Sequence, residues 1–107
     1  GNRSKQLLRK FNEIVYGQDT LNWERLYRVM NDLYDGFFDR LREKFPFLEE
    51  DEFRICCLTY TQFSGSEISI IMGLSINTIQ MKRSVIRKKL QIPSNGNIPH
   101  FLDAVLK

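Results

Sequence analysis

Three observations place this chain in the all-α class. Apolar residues recur at three- and four-residue spacing along nearly its whole length. Ser64, Ser75 and Asn97 each stand where a helix would need an N-cap, and Gly73 stands where one would need to stop. No stretch of any length alternates apolar with polar residues as a half-buried strand does.

The elements follow in order. Residues 4–16 predict a helix with Leu7, Leu8, Phe11, Ile14 and Val15 on one side, and residues 17–20 a loop. From Asn22 a long helical pattern runs to Phe45. Within it Trp23, Met30 and Phe37 are seven apart, as are Tyr27, Tyr34, Leu41 and Leu48. That spacing is coiled-coil-like. Gly36 is a point where this helix would break or kink, and Pro46 should end it at Phe45. Residues 49–62 predict a helix apolar on more than one side. Ile55, Cys56, Thr59 and Phe63 form one stripe, and Phe53, Cys57 and Tyr60 another, which predicts burial. Residues 91–97 read as a loop. Asn97 would then cap a last helix over 99–106, with Ile98, Phe101, Leu102 and Val105 turned inward.

The stretch 64–90 carries the clearest functional signal. Ser64 with Glu67 fits a capping box, in which each side chain serves the other's backbone N–H. Ile68, Ile71 and Met72 give an apolar face. Gly73 ends that helix, Leu74 can turn into the core, and Ser75 starts the next helix. There Ile79, Ile86 and Leu90 make the buried stripe. That leaves Asn77, Gln80, Met81, Ser84, Arg87 and Lys88 outward. Lys82, Arg83, Arg87, Lys88 and Lys89 supply five cations, and the segment 82–89 holds no acid. A short helix, a turn and a longer basic helix describe a helix-turn-helix that reads DNA. Amides pair with adenine edges, arginine with guanine or phosphate, and apolar side chains with the thymine methyl. A run contacting several phosphates would give binding that weakens with salt at a log–log slope of about −3 to −5.

Residues 48–92 resemble the LuxR-type helix-turn-helix, the output domain of many bacterial response regulators. The shared residues are Leu48, Glu52, Ser64, Glu67-Ile68, Gly73-Leu74-Ser75, Thr78-Ile79 and Ile86 with Lys89-Leu90. Phe45-Pro46, Leu48, Glu52, Met81, Arg83 and Ile86-Arg87-Lys88-Lys89-Leu90 are closer still to the C-terminal domains of large bacterial signalling regulators. The resemblance implies signal transduction ending in transcription regulation, with helix 76–90 in the major groove of double-stranded DNA. It implies Gln80, Met81 and Ser84 as the base-reading set, to which the outward-facing Asn77 is added from its place on the same helix. It places Arg87 and Lys88 on phosphates, and Ser64, Thr78, Lys82 and Arg83 are expected to meet phosphates beside them. It also implies self-association, for which the 22–45 helix is the candidate surface, and an upstream sensor region in a longer parent. Four positions depart from the family pattern. Lys82 and Arg83 stand where it has His and Leu, Ser69 where it has Ala, and Thr59 where it has Leu.

Length and composition bound the rest. At 107 residues the chain predicts a helical extension over 1–47, of hairpin or coiled-coil-like form, and a DNA-binding domain over 48–107. With 42% hydrophobic and 27% charged residues it reads as ordinary globular material. No run approaches ~20 apolar residues, the length a membrane-crossing helix needs, and no segment reads as a signal peptide. A cytoplasmic location is therefore expected, with the parent free to be membrane-tethered. Cys56 and Cys57 are adjacent, point about 100° apart on a helix and read as small buried hydrophobes in a reducing compartment. There is no second cysteine pair and no histidine cluster to hold zinc. His100, the sole histidine, is expected on the exposed first turn of the last helix. No catalytic group and no cofactor is expected. The alternative to DNA reading is a helical protein-interaction or dimerisation module that keeps the helix-turn-helix shape.

Overall fold

The computed structural model describes residues 22–93 and 95–107. The helix expected over residues 4–16 and the loop after it lie outside the described residues. Among the described residues there are six helices and no strand. In chain order they are α1 (Trp23–Leu33), α2 (Phe37–Lys44), α3 (Glu50–Tyr60), α4 (Gly65–Met72), α5 (Ile76–Lys89) and α6 (Ile98–Leu106). The chain separates into two compact units, divided between Arg40 and Leu41.

The single helix expected over 22–45 is two helices, α1 and α2. The break falls at Tyr34–Gly36, where Asp35 and Gly36 both take left-handed backbone, φ 57° and 78°. Two consecutive residues there cannot continue a right-handed helix. Asn31 then makes the break tolerable. Its Oδ1 accepts from the N–H groups of Phe38 and Asp39, at 3.1 and 3.2 Å, and so caps the start of α2. The Asp39 carboxylate accepts in turn from Tyr27 Oη (2.6 Å) and Asn31 Nδ2 (3.0 Å). Glycine was visible in the sequence as a breaker; the side-chain network that fixes the break was not.

In the second unit α3 is the central element, packing against α4, α5 and α6. Its residues Phe53, Ile55, Cys56, Cys57, Leu58 and Tyr60 are all buried. A helix covered on three sides keeps polar only the narrow side left open, with Glu50, Asp51 and Arg54, which is why it is apolar over the rest. Both cysteines are free and buried, and burial pushes the Cys56 thiol up to about 12. Residues 41–47 also engage this unit. Arg42 lies over the Phe53 ring at 4.0 Å and bonds Glu50, while Phe45 packs on Phe101. α6 begins at Asn97, whose side chain accepts from His100 N, and Tyr60 Oη bonds Asp103 across from α3. His100 is exposed, and Ile98 and Leu102 are buried.

Candidate functional site

The site is built on α4, the turn 73–75 and α5. Ser64 Oγ accepts from Glu67 N at 3.1 Å, and Glu67 Oε1 accepts from Ser64 N at 2.8 Å, so the capping box is complete. Gly73 ends α4 in the left-handed conformation, φ 67°. Ser75 Oγ accepts from Thr78 N at 3.1 Å and donates to Thr78 Oγ1 at 2.9 Å. The hydroxyl of Ser69 also donates to the carbonyl of Leu74, an added tie across the turn. Ile68, Ile79, Ile86 and Leu90 are buried beneath this pair of helices.

With Ile79 and Ile86 inward, the opposite side of α5 is fixed by the helical turn of about 100° per residue. Asn77, Met81, Ser84 and Lys88 run along its centre at i, i+4, i+7 and i+11, and all four are exposed. Gln80 and Val85 lie on either side of that line, also exposed. Met81 is 68% exposed and Val85 43%.

The cations fall on two flanks of this face, and they are not alike. On one flank Lys82 Nζ lies 2.6 Å from Asp51 Oδ2, and Lys89 Nζ lies 2.7 Å from Glu52 Oε1. The Lys82 ammonium holds the Asp51 carboxyl below its usual range, and Asp51 and Glu52 hold the Lys82 and Lys89 ammoniums above theirs. The 82–89 run has no acid within it, but α3 supplies two from outside. Glu52 is buried and does a second job, because its Oε1 also accepts from Glu49 N at 2.8 Å at the start of α3.

On the other flank the partners are neutral. Arg83 Nη2 donates to Thr59 Oγ1 at 3.4 Å, its Nε is buried without a partner, and desolvation pulls its pKa down. Arg87 Nε donates to the Gly96 carbonyl at 3.1 Å. The loop that presents this carbonyl is tight: a Cβ on Gly96 would come within 2.4 Å of Ile92 Cγ2. Ser84, Arg87, Lys88 and Ile92 line a cavity of about 270 Å³. Lys88 has no ion pair or hydrogen bond among the described residues. Glu49, Glu50, Asp51, Arg54, Met72 and Leu74 line a larger cleft of about 540 Å³, acidic in balance. An anionic ligand is therefore repelled beside Asp51 and attracted beside Arg87 and Lys88.

Of the residues singled out by sequence, Asn77, Gln80, Met81 and Ser84 share one open face with Lys88, and Arg87 borders it. Thr78 is half-buried and engaged with Ser75, and Ser64 is exposed but engaged with Glu67. Lys82 and Arg83 are turned toward α3. Val85 escaped the sequence reading, although its spacing of four from Met81 is the signal that would have found it. Thr59 and Arg83, both singled out in the sequence as unlike the LuxR-type pattern, lie within hydrogen-bonding distance of each other. Among the described residues no His, Cys, Asp and Glu group could hold a metal ion, and no helix is long and apolar enough to cross a membrane. The chain matches no protein-family model, no curated protein and no solved structure.

Proposed function

We propose that this chain is a sequence-specific DNA-binding output module of LuxR type, with α5 as the helix that enters the major groove. The observation that carries the reading is the open face of α5. Two amides, a hydroxyl and a methionine stand exposed in register, bordered by Arg87 and Lys88 and held by a turn capped at both ends. Such a helix fits the major groove, where each base pair presents its own pattern of donors, acceptors and methyl groups. Gln80→Ala should cost about 1–3 kcal/mol on the preferred site and little on random duplex. Lys88→Ala should weaken both alike. Two variants that behave identically on specific and random duplex would refute the assignment of the reading face.

A second reading has an observation in its favour. Ile70, Ile76, Met81 and Val85 are exposed apolar side chains, and Lys82 and Lys89 already have partners. Those features suit a protein partner. DNA reading is preferred because the α5 face itself is mixed, with polar groups between Met81 and Lys88. Self-association through residues 22–45 and an upstream sensor in a longer parent belong to the same proposal. Trp23, Met30 and Phe37 are buried, so a second copy would have to use the half-buried Tyr27, Val29, Leu33 and Tyr34.

A further inference from the structure

We propose that α5 selects A·T base pairs, with Met81 and Val85 contacting thymine methyl groups and Asn77 and Gln80 pairing with adenine. The inference rests on the DNA-binding reading and goes further by naming the bases. The groove-facing side of α5 offers amides at Asn77 and Gln80, and neither is used in a hydrogen bond among the described residues. A carboxamide matches the N6 donor and N7 acceptor of adenine in a bidentate pair. Met81 and Val85 stand one turn apart, 68% and 43% exposed, and an apolar side chain in the groove has one natural partner, the C5 methyl of thymine. Guanine is read most often by a free arginine fork. Neither arginine of α5 offers one at the centre of this face. Arg83 is turned to Thr59, and Arg87 is held at its Nε by Gly96. Lys88 lies in the last turn, away from the N-terminal turns that approach base edges, and suits a phosphate.

The test is selection from a random duplex pool with the full chain, followed by binding to the selected site with single thymines replaced by uracil. The expected core is dominated by A·T pairs. Uracil opposite Met81 or Val85 should weaken binding about fourfold, the effect of one buried methyl group. Met81→Ala should bind the thymine and uracil sites alike at its position; Met81 is exposed, so an unchanged circular dichroism spectrum will show that the fold survives. A G·C core, or a thymine–uracil difference that persists unchanged in both Met81→Ala and Val85→Ala, overturns the inference and leaves sequence-specific DNA binding standing; duplex binding with no preferred core overturns both. No retention of any duplex at low salt overturns both.

Discussion

The two flanks of α5 carry similar cations in different circumstances. Lys82 and Lys89 face carboxylates of α3 at 2.6 and 2.7 Å. Arg83 and Arg87 face a hydroxyl and a carbonyl, and Lys88 faces solvent. A cation already paired with a carboxylate contributes less to an incoming phosphate, since the ammonium must leave one anion for another and the carboxylate stays behind to repel. A cation oriented by a neutral oxygen keeps its full charge. Five positive charges in the sequence therefore reduce to two or three available ones, on the side away from the acidic cleft. The pairs on the first flank look instead like fastenings that fix the angle of α5 on α3.

The largest effect expected from this contrast is on stability. Glu52→Ala removes the acceptor of both Glu49 N–H and Lys89 Nζ. It should lower unfolding free energy by about 1–3 kcal/mol, as loss of a helix cap and a charge-assisted hydrogen bond together would. Urea unfolding measures it, and an unchanged midpoint would mean that this flank fastens nothing. Next comes a pair of binding effects. Lys88→Ala should reduce the salt slope by about one, whereas Lys89→Ala should change it by much less. Equal changes would erase the distinction between the flanks.

How far the sequence foretold these arrangements depended on their range. The Ser64–Glu67 capping box, the left-handed Gly73 and the buried stripe Ile79, Ile86, Leu90 are local, set by residues three to eleven apart, and they were legible. The outward placement of Asn77, Gln80, Met81 and Ser84 followed from that same stripe. The pairs Asp51–Lys82, Glu52–Lys89 and Thr59–Arg83 join residues 31, 37 and 24 positions apart. Their formation depends on how α5 crosses α3, which no periodicity encodes. The break between α1 and α2 shows the same limit: Gly36 marked the place, but the capping of Phe38 and Asp39 by Asn31 emerged only with the fold.

A smaller effect should follow from releasing one pair. Asp51→Asn removes the carboxylate that holds Lys82 and lightens the acidic cleft. Duplex binding at low salt should tighten, with the salt slope steeper by up to about one. Weaker binding would show that Asp51 orients Lys82 for DNA instead of occupying it. The smallest effect is in the pH dependence of stability. The folded-state pKa of Asp51 is lowered, first through its hydrogen bond with Lys82. Its contribution is therefore present in full above the unfolded value of about 3.9 and fades as pH falls through the lower folded value. For a pair this exposed it amounts to about 0.2–1 kcal/mol. Acid titration of the unfolding midpoint should show wild type losing that increment below about pH 4 while Asp51→Asn does not.

Binding of the 107-residue chain to labelled duplex across a range of salt tests the central claim most directly. If α5 meets phosphate through its neutral-partnered flank, the logarithm of the association constant should fall with the logarithm of salt at a slope of about −2 to −3, near 0.9 for each phosphate neutralised. A flat response, or no binding to duplex even at low salt, would contradict the account.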